Sequence, residues 1–301
     1  MQYHTIYNNV HDVAGYINWL YFFHAWGFPA RYGSIARVHG CMACRQNWLQ
    51  GFPGGERVRA GEAMRLYDEA RNLLDEWDRA GLQTHFRVAL RPAVSDGDDI
   101  LLPDDGERIC LLRQQHAPQG EPCLCLADFV RPIGQCEPDR IGLFATTVDR
   151  EMEQWGGEDE YRRLLSQTLA DRLAEATAEA GHLLVRRRLW GYAPDEDLTV
   201  DELFAERYQG RRPAVGYPSL PDQSLNFLLA RLLDFDSLGI RLTENGAMQP
   251  HASTSGLMIS HPQARHFSVG TIGEDQLQNY ARRRGASPDA LRRFLQVGSP
   301  A

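Results

Sequence analysis

The sequence predicts a mixed helix-and-strand fold in one globular domain, and three observations carry that reading. Residues 62–77 and 159–190 repeat apolar side chains at three- and four-residue steps, the period of an amphipathic helix. Short runs such as residues 141–147 (IGLFATT) are apolar, β-branched or aromatic throughout and read as buried strands. With 43% hydrophobic and 24% charged residues, the 301-residue chain can build a sizeable core. No internal repeat or low-complexity linker interrupts it, so the expectation is a short polar leader at 1–10 and a single domain over 11–301.

Taken in order, residues 16–26 (YINWLYFFHAW) crowd aromatics into a packed segment, with Asn18 either a satisfied core amide or a residue facing a ligand. Residues 33–55, rich in Gly, Pro and Cys, read as loop or insertion. The helix at 62–77 sets Ala63, Leu66, Ala70, Leu73 and Leu74 on one face. Residues 96–99 (DGDD) make an acidic turn; they lack the spaced oxygen ligands and terminal Glu of a calcium loop, so a hydrogen-bonded turn outweighs calcium. Strand-like pieces follow at 100–102 and 109–112. In the long helix, Leu165, Leu169, Leu173, Ala176 and Ala180 line one face, and Arg186, Arg187 and Arg188 near its end complement the helix dipole. Asp222 or Ser224 is placed to cap a helix over 225–233. Residues 255–260 and 265–272 read as two strands joined across a turn at 261–264, and Ser287-Pro288-Asp289 starts a helix running to Gln296.

All 32 basic residues are arginine. Without lysine there is no Schiff base to pyridoxal phosphate or a carbonyl substrate, no phosphate-loop lysine and no kinase-type strand lysine. A net charge of −8 argues against nucleic-acid binding. No apolar run approaches the roughly 20 residues of a membrane span, and the first residues lack the pattern of a secretory signal, so a cytoplasmic protein is expected. Six cysteines are too sparse for a secreted disulfide scaffold. Cys41 and Cys44 form a CxxC and Cys123 and Cys125 a CxC, while Cys110 and Cys136 stand alone. A structural zinc site wants a second spaced pair, so reduced, partly buried thiols are expected and no metal.

Residues 209–221 read QGRRPAVGYPSLP, and this segment resembles the RPxxGYP hallmark of the activation (reactivation) domain of cobalamin-dependent methionine synthase. Further stretches similar to that family recur in the same order: YINW near 16, DGDDI near 96, LRQQ at 112, CLADF at 125, IGLFATT at 141, ADRLAEA at 170, WGYAPDE at 190, LTENGAM at 242, ASTSG at 252, SHP at 260 and GEDQLQNYARRRG at 273. The resemblance covers residues 11–296. It implies an α+β fold in which helices flank a twisted antiparallel sheet, and it implies binding of S-adenosylmethionine. It also implies partners: a methionine synthase chain carrying the cobalamin module, and a flavodoxin-like reductase. The catalytic modules for homocysteine and methyl-folate have no counterpart here, and His11-Asp12-Val13-Ala14-Gly15 has the wrong order for the DxHxxG cobalamin motif.

Carried over position by position, the resemblance implies a ligand set of Asn18, Glu206, Arg212, Gly216, Tyr217, Ser219, His266 and Phe267, with no catalytic residue. The Arg212 guanidinium fork suits the ligand carboxylate. Gly216 allows close backbone approach, Tyr217 supplies an aromatic wall, and Glu206 orients Arg212 or accepts from the ligand amine. Several positions depart from the family pattern. Asn18 stands where the family has aspartate, which replaces an ion pair to the amine with a neutral acceptor. His266 and Phe267 stand where two tyrosines are common; Phe267 keeps a π-face for the sulfonium, and His266 brings pH sensitivity. Gln223, Asn245 and Gly246 depart as well, and Arg31 stands where the family often has a lysine on the face used by the reductase.

Two functions of different classes follow. The first is an activation subunit that binds S-adenosylmethionine and supports reductive remethylation of cobalamin on a separate methionine synthase chain. The alternative is a lyase or cyclase that consumes S-adenosylmethionine alone and releases methylthioadenosine, which the lack of a lysine and of an evident base disfavours. A scaffold that has lost ligand binding is the bland third reading.

Overall fold

The computed structural model describes residues 3–135 and 137–295, so the lone Cys136 and the helix end expected at Gln296 lie outside the described residues. Within the segment expected as a leader, strand β1 (His4–Asn9) forms, followed by α1 (Val10–Ala14) and α2 (Trp19–Ala25). The stretch expected as loop at 33–55 is largely helical. It contains most of a 3-10 turn (Ala30–Arg37), then α3 (Met42–Gln50). The correction has a local cause: behind Cys41, whose Sγ accepts the Cys44 N–H and so caps the helix, the run Met-Ala-Cys-Arg-Gln-Asn-Trp-Leu-Gln has no Gly or Pro to break it.

Helix α4 (Arg57–Arg79) matches the amphipathic reading, with Ala63, Leu66, Ala70, Leu73 and Leu74 all buried. The sheet then begins with the long β2 (Gln83–Asp96), which turns over Gly97-Asp98 into β3 (Asp99–Leu102) and on to β4 (Glu107–Cys110). The DGDD turn is thus a two-residue hairpin loop, with Asp96 opposite Asp99 and Gly97 at φ +61°. Strand β5 (Asp139–Val148) is buried from Ile141 onward, as a strand covered on both faces requires.

After the single turn α5 (Glu151–Gln154), helix α6 (Glu160–Leu184) runs into a π-type turn (Val185–Leu189), where the Trp190 N–H reaches back five residues to the Val185 carbonyl. Next come α7 (Val200–Phe204) and α8 (Leu225–Leu233). Helix α8 is preceded by Asp222, whose Oδ1 accepts the Ser224 N–H at 2.8 Å, while Ser224 itself makes no side-chain cap. A two-stranded ribbon of β6 (Arg241–Leu242) and β7 (Met248–Gln249) leads to β8 (Ser253–Met258), α9 (Glu274–Arg284) and α10 (Pro288–Arg292). Ser287 caps α10 as expected.

The main sheet has the order β4-β3-β2-β5-β8, with β1 also paired to β2, and the pairs β2/β3, β3/β4 and β5/β8 are antiparallel. The expected α+β fold, an antiparallel sheet with helices, is therefore present. Residues 265–272 are a correction, because they form no strand. Their polar groups are satisfied one at a time instead: the Ser268 carbonyl accepts from Gln114 Nε2, and the Val269 N–H donates to the Pro218 carbonyl.

Contacts divide the chain into two compact units. A helical unit comprises Tyr7–His85 and Val148–Ala180, and a sheet unit comprises the N-terminal residues through Ile6, Phe86–Thr147 and the chain from Gly181. In the helical unit α4 packs on α1, α3 and the 3-10 turn. In the sheet unit one core joins Ile100, Leu143 and Leu257 of the strands to Leu229 and Leu233 of α8. Burial pushes two buried thiols of that unit up, Cys110 to about 11 and Cys125 to about 12, which leaves both unreactive. Among the described residues no helix is long and apolar enough to cross a membrane.

Candidate functional site

The site is built on an added rung beside β8. The Arg211 N–H donates to the Ile259 carbonyl at 2.8 Å and the Ile259 N–H returns the bond at 2.9 Å; Leu257 N–H reaches the Pro213 carbonyl at 3.0 Å and Val215 N–H the Ser255 carbonyl at 2.9 Å. Pro213 has no N–H to offer, and its carbonyl is the group the rung uses. Such close approach depends on Gly256, where an added Cβ would fall 2.2 Å from the Pro213 carbonyl oxygen and 2.9 Å from Phe144 Cε1. Strand alternation sends neighbouring side chains to opposite faces. Accordingly the Arg212 guanidinium lies 5.6 Å from the Phe144 ring centroid and the Arg211 guanidinium 5.6 Å from that of Tyr208.

The rung ends in the turn 216–220. Gly216 has φ +89°, a conformation that disfavours any side chain, and its N–H donates to the Leu220 carbonyl at 2.8 Å. The Leu220 N–H closes on the Tyr217 carbonyl at 2.9 Å, with Pro218 at the second turn position. Tyr217 is 52% exposed and Ser219 is buried. The Pro218 carbonyl accepts the Val269 N–H at 2.9 Å, which fastens this turn to the segment carrying His266 and Phe267.

Glu206 occupies the left-handed region at φ +52°, just past α7. Its carboxylate stands 3.3 Å from His266 Nε2 and 3.2 Å from Arg211 Nε. The His266 hydrogen bond, with the Arg211 and Arg212 charges behind it, holds the carboxyl below its ordinary value against a burial that raises it. A carboxylate so stabilised is a poor base, which weighs against the lyase reading.

Side chains at the end of α6 support this cluster. His182 is fully buried and meets the Tyr208 ring edge-on at 5.2 Å. Burial first, then the charges of Arg186, Arg212 and Arg211, hold its imidazole well below the ordinary value, so it is neutral. Arg186, read from sequence as one of three arginines that complement the helix dipole, also makes a buried ion pair. It is completely buried, donates to both Glu196 carboxylate oxygens through Nε (3.1 and 2.9 Å) and again through Nη2 (2.8 Å), and stacks 3.9 Å from the Tyr208 ring centroid. It stands four residues after the buried His182, on the same face of the helix. Arg211, Tyr208 and His182 escaped the sequence reading, as did the pairing of Arg186, although the WGYAPDE segment supplied one clue in Glu196, ten residues beyond Arg186.

Of the eight residues selected from sequence, Glu206, Arg212, Gly216, Tyr217, Ser219, His266 and Phe267 belong to the sheet unit. Glu206 and His266 touch directly, and Phe267 packs against both apolar clusters of the unit. Asn18 belongs to the helical unit, where it is the N-cap of α2 and its Oδ1 accepts the Leu20 N–H at 3.2 Å.

The family model described as "Vitamin B12 dependent methionine synthase, activation domain" matches residues 9–285. The chain belongs to this family. Among solved structures, a crystal structure of the MetH reactivation domain bound to AdoHcy is similar to this activation domain with a TM-score of 0.85 and 34% sequence identity, covering 100% of this chain and 91% of that one. The RPAVGYP rung and turn are thus part of a methionine synthase activation domain.

Proposed function

We propose that this activation domain binds S-adenosylmethionine and supports reductive remethylation of cobalamin on a separate methionine synthase chain. The observation that supports this most is the likeness, over its whole length, to a reactivation domain crystallised with AdoHcy, the molecule that S-adenosylmethionine becomes on losing its methyl group. The donor set of the sheet unit fits such a ligand. Arg212 has the planar fork that pairs with an amino-acid carboxylate. Tyr217 and Phe267 carry π-faces suited to a sulfonium. Glu206 carries a carboxylate kept ionised by its neighbours. Gly216 and Ser219 complete the set through the turn.

Cobalamin carried by a partner chain would supply a nucleophilic metal centre for the methyl group, and a flavodoxin-like reductase would supply the electrons. This chain's residues do the positioning: they fix the ligand's amino-acid end and thereby the direction in which the methyl carbon faces.

Calorimetric titration with S-adenosylmethionine tests the binding half. Saturable binding is expected, weakened about 10- to 100-fold in Arg212→Ala through loss of a charge-assisted contact. Absence of binding by the unaltered protein sinks the reading. The second half is tested by adding the protein to a methionine synthase lacking its own activation domain, together with reductase and S-adenosylmethionine. Turnover is expected to recover after oxidation, and equal recovery without the protein overturns the assignment.

A further inference from the structure

The helical unit holds a group of donor side chains that ligand binding in the sheet unit does not use. His39, Cys41 and Cys44 each present one donor atom, and these atoms all lie within 4.8 Å of one another. Local backbone geometry gathers them. Cys41 is the N-cap of α3, its Sγ accepts the Cys44 N–H at 3.4 Å, and its own N–H donates to His39 Nδ1 at 3.3 Å. An amide N–H aimed at sulfur at a helix start favours the thiolate, the form that binds metal.

We propose that His39, Cys41 and Cys44 form a zinc-type metal site with one imidazole, two thiolates and a fourth coordination position open to water or an added ligand. Zinc binds sulfur at about 2.3 Å and nitrogen at about 2.0–2.1 Å, so a tetrahedral set places ligand atoms roughly 3.5–3.8 Å apart. The present spread requires a closure of about 1 Å, which side-chain rotation supplies because His39 is exposed and Cys44 half-buried. Two thiolates and an imidazole select zinc-like cations over magnesium or calcium, which take oxygen donors. The sequence reading set metal aside for want of a second cysteine pair; His39, two residues ahead of the CxxC, fills the third place instead. Bound there, the metal staples residue 39, just past the 3-10 turn, to the first turn of α3.

Cobalt titration of the reduced, chelator-treated protein tests the site, with the variants Cys41→Ser/Cys44→Ser, His39→Ala and, as a control, Cys123→Ser. The unaltered protein and the control are expected to develop the thiolate charge-transfer and visible bands of four-coordinate cobalt at one equivalent, bleached by zinc. The double variant is expected to lose the bands, and His39→Ala to shift half-saturation to higher cobalt. Circular dichroism of the metal-free proteins establishes that each variant is folded. No four-coordinate spectrum in the unaltered protein, bands that survive in the double variant, or bands lost in Cys123→Ser would each overturn the proposal.

Discussion

The two units solve the problem of holding a fold together by opposite means. In the helical unit, aromatic rings meet edge to face within short sequence distances: Trp19 with Phe22, Phe22 with Phe23, Phe28 with Tyr32 and Trp48 with Phe52, at centroid separations of 4.8 to 6.0 Å. In the sheet unit, the residues around the proposed ligand site are held by charged groups, those of Arg186, Glu196 and Asp222 buried and those of Glu206 and His266 partly exposed. Arg186 is paired with Glu196, Glu206 with Arg211 and His266, and Asp222 accepts the Tyr280 hydroxyl at 2.5 Å while buried. Edge-to-face aromatic packing buries large apolar areas and strands no charge when one ring is removed. Buried charges are costly unless every partner is in place, so they specify one arrangement of a ligand-binding surface at the expense of stability.

The strongest way to break that contrast is to truncate one member of each system. Phe22→Ala and Arg186→Met should each cost about 3–5 kcal/mol, the first by leaving a cavity and the second by stranding the Glu196 carboxylate. They part at the second step. Adding Glu196→Leu to Arg186→Met should recover most of the loss, whereas no second truncation beside Phe22 does. Urea denaturation of the single and double variants measures this, and a double variant no better than Arg186→Met would erase the distinction.

Acid sharpens it further. The folded His182 imidazole stays neutral well below its ordinary value of 6.5, while the unfolded imidazole protonates there. Below that pH the unfolded state therefore binds one more proton, so stability falls as pH drops from about 6.5 toward the depressed folded value. His182→Gln should flatten the slope of stability against pH in this window; an unchanged slope assigns the acid sensitivity elsewhere.

Smaller effects belong to single polar contacts. Asn18→Ala should cost about 1 kcal/mol by removing the α2 cap, read from the thermal midpoint. Arg265→Ala should cost less than about 1 kcal/mol, because its 3.2 Å pair with Glu121 joins side chains that are 52% and 53% exposed. A larger loss there would show that exposed charge also contributes to the order of the sheet unit.

What the sequence disclosed follows the same division. Helix α4 was legible because its burial repeats with the helical period, strand β5 because its apolar and β-branched run is unbroken, and the α10 start because Ser-Pro-Asp is a local cap. The activation-domain family was legible through ordered segments. Residues 265–272 were misread as a strand because His-Phe-Ser-Val has strand-like composition, while its bonds go to Gln114 and Pro218, far away in the chain. The buried ion pair of Arg186 was invisible for a related reason: a charged residue reads as solvent-facing until its partner is known, and that partner, Glu196, lies ten residues on beyond the helix. Gly and Pro at 33–55 masked α3, because composition averaged over the window hid the uninterrupted run behind Cys41.

Gly256 has a meaning beyond permitting a close approach. Along β8 its neighbours are Ser255 and Leu257, so sliding the 211–215 rung by one residue in either direction would set a Cβ against the Pro213 carbonyl, at a place where only 2.2 Å is available. The missing methyl acts as an index mark on a scale, and it fixes how far along the sheet edge the Arg212 fork stands. A ligand held by that fork inherits its coordinate from a side chain that is absent.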